Sequence, residues 1–302
     1  MEKYKFIKCV SFDSDINLEE FDSILLEDLD NKDIRIIQLK DKIKNNYDTK
    51  KLALLLKNLG ISKFHFRKGV GYKGIVQRLK FAEFKKNEKK VIFYRMKKEG
   101  RRFTIDKNNT LILPMKELKY IYPLILSPEI KEDKVSWNHN YIIYPYEFGE
   151  KKPISEEKFK KEAPVLFNYL KAHKEELLNQ SSYNSRIQNN KEFYSLIRIG
   201  EYTYSSIYLI MRDNTKVISQ IIKYIQTDWG EKKIPIFDNH ISYLSRINNR
   251  EITEKEAKKI KEVLSWKETK AIIEGIFDSR SISSRIPIKI ERIIDEVSRV
   301  NK

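Results

Sequence analysis

The sequence predicts an α+β fold, a mostly antiparallel sheet with peripheral helices, and three observations predict it. Short β-rich runs crowd residues 61 to 150, amphipathic repeats with start and stop signals flank them, and 302 residues with 40% hydrophobic content suffice for real cores. Three regions are expected. An acidic N-terminal segment with a packing helix spans 1–60, a β-rich region spans 61–150, and an α+β region spans 151–302 and forms one core with roughly 120–150.

Taken in order, KYKFIKCV alternates like a half-buried strand and holds the single cysteine, Cys9, read there as inert. An irregular acidic prelude follows, then TKKLALLLKNLG, where Leu52, Leu55, Leu56 and Leu59 share a helical face that Gly60 stops. KFHFRKG, KVIFYRMK, RRFTI, TLILP, KYIYPLIL and NYIIYPYEFG read as strands, separated by charged or Asn-containing turns such as DKNN. Pro153 and Ser155 introduce a helical stretch with Pro164 in the first turn of its main helix and Leu166, Phe167, Leu170 and Leu177 at helical spacing.

Strands return at EFYSLIRIG and YSSIYLIMR. KVISQIIKYIQT fits two readings: Ile218, Ile221, Ile222 and Ile225 suit a helix, while the β-branched content favours a strand, which is taken here. Thr253 and Glu256 form a capping box, T-x-x-E, that opens a helix with Ala257, Ile260, Val263 and Leu264 on one face. A second short helix covers Glu268 to Ile276, FDSRSISSRIPIKI reads as a loop into a strand, and ERIIDEVSRV is a closing helix.

Sixty Lys and Arg against 43 acids give a net charge of +17, a balance that favours polyanionic partners. It is unevenly placed: Ser11 to Asp33 holds nine acids and one base, so the other residues are more basic than the total implies. That acidic stretch repels phosphates and is expected to face away from them as a solvated, partly disordered face. The absence of a long apolar run leads us to expect an intracellular, cytoplasmic protein. One Cys and four His make a structural zinc site improbable.

Catalytic signatures do not emerge. An adenine-amino methyltransferase needs a glycine-rich cofactor turn and an NPPY-type tetrapeptide, and YPYE at Tyr144 to Glu147 is not one. The lone G-x-G-x-x-G at Gly69, Gly71 and Gly74 has no apolar strand leading into it and is read as a flexible basic loop. Its functional reading is phosphate contact through Lys68, Lys73 and exposed amides, with Phe64, Phe66 or Tyr72 stacking or packing. His139 and His240 have no paired Ser or Cys in a recognisable setting and read as structural or groove-facing. Acidic-lysine strings of the kind a magnesium nuclease needs, at Glu83 and Glu117, arise by chance in so charged a chain.

Four blocks carry a family resemblance. They are KYIYPLILSPEI; WNHNYIIYPYE leading into APVLFNYLKAHKEELLNQSS; SRIQNNKEFYSLIRIGEYTYSSIYLIMRDNT, with Tyr194, Ser195, Gly200, Tyr202, Thr203 and Arg212; and ITEKEAKKIKEVLSW followed by DSRSISSRIPIKI. In these the chain resembles the C-terminal target-recognition (specificity) domain of TaqI-like adenine-specific DNA methyltransferases and their fused restriction-methyltransferase relatives. The resemblance implies a target-recognition-domain-like fold and recognition of double-stranded DNA. It also implies a separately encoded methyltransferase or nuclease subunit as partner, because the upstream catalytic domain of the family is missing.

Bidentate arginines read guanine and amides read adenine, so Arg-, Asn-, Ser- and Tyr-rich loops are the candidates. SSYNSRIQNN offers Tyr183, Arg186 and Gln188, and reads equally as a solvated turn. DSRSISSR offers Arg280 and Arg285, whose alternative is pairing with Asp278 or Glu274. The GRRF turn offers Arg101 and Arg102, and Arg212 closes a strand. No catalytic residue, cofactor or metal site is expected. The rival readings are a restriction endonuclease with a diverged magnesium-dependent site and a general RNA or single-strand binder. With the cofactor turn and the base-gripping tetrapeptide both missing, titration calorimetry with S-adenosylmethionine is expected to show no saturable binding, and saturable binding would overturn that reading.

Overall fold

The computed structural model describes residues 6–8, 23–28, 33–38, 48–60, 62–72, 75–99, 102–178, 192–212, 217–276, 286 and 288–300. Strands β1 (Phe6–Lys8), β2 (Ser23–Asp28) and β3 (Asp33–Gln38) form a small sheet, parallel between the first two and antiparallel between the last two. The acidic stretch read as an irregular prelude therefore supplies two strands. Strand β2 pairs with β3 over its whole length, from Ser23 opposite Gln38 to Asp28 opposite Asp33. Helix α1 (Thr49–Lys57) is capped by Asp48, whose carboxylate accepts from the Lys50 and Lys51 amides.

The chain then makes β4 (Arg67–Lys68), β5 (Arg78–Lys85), β6 (Lys90–Glu99), β7 (Arg102–Pro114), β8 (Ile121–Ile125) and β9 (Asn140–Ile143). Helices α2 (Glu156–Glu162), α3 (Pro164–Ala172) and α4 (Lys174–Leu178) follow. Next come β10 (Tyr208–Arg212), β11 (Ser219–Ile222), β12 (Ile225–Gln226), β13 (Lys232–Lys233), β14 (Ile236–Phe237), β15 (Ile241–Leu244), β16 (Arg246–Ile247) and β17 (Arg250–Glu251). Helices α5 (Glu254–Ser265), α6 (Lys267–Ile276) and α7 (Ile290–Val300) complete the described chain.

These elements build an α+β fold whose sheets are mostly antiparallel. A six-stranded sheet has the order β14-β8-β9-β5-β6-β7 and a four-stranded sheet the order β11-β10-β15-β4. Tyr141 and Ile143 point with Leu79, Val91 and Phe93 to α2 and α3, while Ile142 and Leu124 point the other way. On the second sheet Tyr208, Ile210 and Tyr243 meet Ile125 and Phe237, while Leu209, Met211 and Leu244 pack with α1, α5, α6 and α7. The six-stranded sheet thus carries α2 and α3 on one face, and the four-stranded sheet carries α1 and α5 to α7 on one face and meets Ile125 and Phe237 with the other. Helix α1 belongs to the core of α5 to α7, β4 pairs with β15, and β14 pairs with β8.

Several local readings hold. Thr253 accepts from the Glu256 amide while the Glu256 carboxylate accepts from the Thr253 amide, a complete capping box. Pro164 opens α3, and KVISQIIKYIQT is strand at β11 and β12. Others need correction. EFYSLIRIG makes no strand, because its backbone turns at Glu192 to Ser195 and only Ile197 bridges, to Gly71. DKNN is not a turn between two strands. Strand β7 runs through it, and the register jumps from Tyr94 opposite Thr110 to Arg95 opposite Asp106, leaving Lys107, Asn108 and Asn109 as a bulge. Within RIPIKI, Ile288 bridges Leu59, while Arg285 and Pro287 lie outside the described residues.

Two buried charges hold the layers in register. Glu117 is fully buried, and its carboxylate accepts from the Val165 and Leu166 amides at the start of α3 (3.2 and 2.9 Å). Lys233 has a side chain 10% exposed. It donates to the Leu118 and Ile121 carbonyls (2.5 and 3.0 Å) and stands over the Tyr122 and Trp229 rings. Burial lowers its pKa from 10.5 to about 8. Between those values the unfolded chain binds the extra proton, so this site's contribution to stability rises with pH through that window, and the cost of burying the charge is complete below it. Replacing Lys233 with Met removes the dependence. The stability difference between Lys233→Met and the parent chain, from urea unfolding, is expected to shift toward the parent by about 1 kcal/mol per pH unit between roughly pH 8 and 10. A difference that stays flat across this range refutes the assignment.

Candidate nucleic-acid interface

The glycine motif is where sequence and structure part most clearly. Gly69 and Gly71 lie in an extended, hydrogen-bonded segment: the Gly69 amide donates to the Ile241 carbonyl (2.8 Å), Val70 to Phe237 (2.7 Å) and Gly71 to Ile197 (3.1 Å). These amides are already used, so they cannot cradle a phosphate, and the reading of a flexible loop is overturned for this part of the motif. A Cβ on Gly69 would stand 2.1 Å from the Asp238 carbonyl oxygen and 2.4 Å from that of Phe237. The glycine is there because two backbones touch. Phe66 is fully buried, and the Tyr72 hydroxyl donates to Asp238 (2.7 Å), so both pack rather than stack on a base.

The sequence candidates fall into separate places. Lys68 and Arg212 lie on the strands that flank β15, opposite Ser242 and Ile241, both half-buried; the Arg212 Nε is buried and has no hydrogen-bond partner. Arg102 opens β7 on the edge of the other sheet. Lys73, Arg101, Tyr183, Arg186, Gln188, Arg280 and Arg285 lie outside the described residues. Tyr202 and Thr203 belong to a turn: Thr203 is buried and its hydroxyl accepts from the Gly200 amide (3.1 Å), while the Arg67 guanidinium lies over the Tyr202 ring.

His139 is half-exposed and locked. Its Nδ1 lies 2.8 Å from one oxygen of Asp228, the Tyr141 hydroxyl donates to the other (2.7 Å), and its ring rests against Trp137. Its φ of 48° is the left-handed region, which His tolerates better than most residues. His240 sits in a turn whose backbone amide donates to Asp238 (2.9 Å). Among the described residues no three metal-ligating side chains gather.

A different feature has the shape of a nucleic-acid reader. Pairing of β5 with β6 ends at Leu79 opposite Arg95, yet β6 and β7 pair onward through Met96 with Ile105, Lys97 with Thr104, Lys98 with Phe103 and Glu99 with Arg102. Among the described residues these last four pairs have no third strand and form a two-stranded ribbon roughly 13 Å long, at about 3.4 Å per residue. The segment from Arg95 to Lys107 contains six basic residues and two acids. Phe103 (49% exposed) and Ile105 (36%) present an apolar strip, with the Arg78 guanidinium over the Phe103 ring.

The ribbon base is anchored. Arg95 donates to His173 Nε2 (2.6 Å) and lies over Tyr169, and His173 Nδ1 meets the Tyr169 carbonyl (2.8 Å), tying β6 to α3. Lys97 pairs with Glu99 at 2.7 Å, but both are about half exposed, so the pair contributes little. Sequence reasoning marked only the GRRF tip. KVIFYRMK and RRFTI read as strands, but nothing in the sequence marks where β5 stops and leaves them as a pair.

No protein-family model matches the chain, and no curated protein matches it. The glycine segment supplies the test of its own role. Gly69→Ala is expected to destabilise the protein by about 3 kcal/mol, the upper range for forcing atoms into a packed core, read as a lower urea midpoint. Wild-type stability in the variant would return the motif to the ligand-binding candidates.

Proposed function

We propose that this protein is a sequence-specific double-stranded DNA-recognition module. In this reading it is the specificity subunit, or a detached target-recognition domain, of an adenine-specific DNA methyltransferase or restriction-modification system. It works with a separately encoded catalytic subunit. The β6–β7 ribbon is the observation that carries the proposal: a major groove about 12 Å wide admits a two-stranded ribbon, and this one is basic, partly apolar and projects beyond its sheet. The net charge of +17 supports the same partner class. The four blocks of resemblance supply the association with adenine methylation.

Phosphate contacts supply affinity and salt dependence, while groove contacts supply specificity. If about six phosphates are neutralised, the logarithm of affinity falls against the logarithm of salt with a slope near −5, roughly a thousandfold between 50 and 200 mM. Lys97→Ala with Lys107→Ala is expected to weaken duplex binding and make that slope shallower by about 1–2, in fluorescence anisotropy titrations at several salt concentrations. An unchanged slope in the folded double variant removes the ribbon from the interface. Equal affinity for single-stranded and duplex DNA, with no motif enriched from random duplexes at about 150 mM salt, makes the protein a general polyanion binder instead.

A further inference from the structure

The bulge in β7 has features that ribbon geometry alone does not require. Three residues, Lys107, Asn108 and Asn109, are extra where Tyr94 faces Thr110 and Arg95 faces Asp106. The bulge sits on the outer strand of the six-stranded sheet, with no strand on its outer side among the described residues, and at the base of the projecting ribbon. Bulges re-aim side chains, and this one is held in shape from within. One oxygen of the Asp106 carboxylate accepts from the Asn108 backbone amide (3.2 Å) and the other from the Asn109 side-chain amide (2.6 Å). The Asn109 contact holds the Asp106 carboxyl below its ordinary range.

The three extra side chains are thereby given different roles. Asn109 is spent on Asp106. Lys107 is exposed and brings a positive charge. Asn108 is exposed, its backbone is fixed by Asp106, and its side-chain amide has no partner among the described residues. A free carboxamide on a fixed backbone has one donor and one acceptor in one plane, which matches the N7 acceptor and N6 donor that adenine shows in the major groove.

Resting on the reading of the protein as a duplex reader, we propose that Asn108 is a specificity-determining residue that recognises one adenine through its major-groove edge, with Lys107 on the neighbouring phosphate. The Asn108 amide nitrogen donates to N7 and its carbonyl accepts from N6. Guanine offers two acceptors in those positions, so one half of the pair is lost and the carbonyl faces an oxygen.

The experiment uses the full chain and a duplex motif selected from random sequence at about 150 mM salt. Each A·T pair of that motif is replaced in turn by G·C, and each adenine by 7-deazaadenine, which keeps N6 and loses the N7 acceptor. The wild-type chain is expected to lose about tenfold in affinity at one position for either replacement, within the range of a good bidentate contact. Asn108→Ala, with its fold checked by circular dichroism, is expected to bind the selected motif about tenfold more weakly and random duplex equally well, and to be indifferent to both replacements at that position. Retained preference at every position in Asn108→Ala overturns the inference and leaves duplex recognition standing. A wild-type chain indifferent to 7-deazaadenine throughout overturns it without any variant. A chain that binds no duplex overturns the parent reading and this one with it.

Discussion

Both sheets depend on one close approach of two backbones. Gly69 follows β4, which belongs to the four-stranded sheet, and its neighbour Val70 bonds to the Phe237 carbonyl and bridges Asp238, just after β14 of the six-stranded sheet. Asp238 in turn donates its amide to the Ile125 carbonyl of β8. A single extended stretch thus stitches the sheets through main-chain hydrogen bonds, and the stitch closes only where a residue lacks a Cβ. The Tyr72 hydroxyl completes it by donating to the Asp238 carboxylate, and burial beside that carboxylate pushes the phenol far above its ordinary range. Sheets fixed in this way give β6 and β7 a rigid base to project from.

The space around the stitch is filled by tyrosines, and most of their hydroxyls find a partner, while that of Tyr243 is buried without one. Tyr144 donates to Tyr204, Tyr204 to the Glu150 carbonyl, Tyr208 to Thr203 and Tyr194 to Ile154, all between 2.6 and 2.8 Å. Tyr146 accepts from the Leu196 amide and donates to its carbonyl. A buried phenol with a partner brings a large apolar ring without an unsatisfied polar atom. This explains why the YPYE and Tyr-Ser strings are so rich in tyrosine. They are core positions, and the blocks that carry the family resemblance are largely blocks of scaffold.

Much of the scaffold was legible. Caps and amphipathic stripes gave α1, α3, α5 and α6 because those signals are local: Thr253 with Glu256, Pro164 at a first turn, Leu52 with Leu55 and Leu56. What failed was non-local. The role of Gly69 depends on Phe237 and Asp238, about 170 residues on, and no window on the sequence contains both. EFYSLIRIG has strand composition, but its neighbours in space are tyrosine hydroxyls and a glycine rather than a strand edge. DKNN has turn composition and turns only in part, bulging from a strand whose partner continues on the other side. Of the candidate site the sequence marked the tip, because arginines beside a glycine are conspicuous; the two-stranded ribbon beneath it was not, because its geometry comes from where β5 stops.

That stopping point also sorts the charge. A sheet edge with exposed apolar side chains invites pairing with another chain, and β7 exposes Phe103, Ile105 and Ile112. Folded proteins blunt such edges with bulges and with lysines, and β7 carries both at the same place, Lys107 to Asn109. The devices that keep the edge from aggregating are therefore the ones that suit it to a polyanion: like-charged copies repel, while a phosphate backbone is attracted. The acids at Glu27, Asp28 and Asp33 are placed in a separate sheet of β1 to β3, so the ribbon does not meet them across a strand pair. Positive charge and an apolar strip on an edge protected from strand pairing are the features that the proposed duplex-reading role draws on.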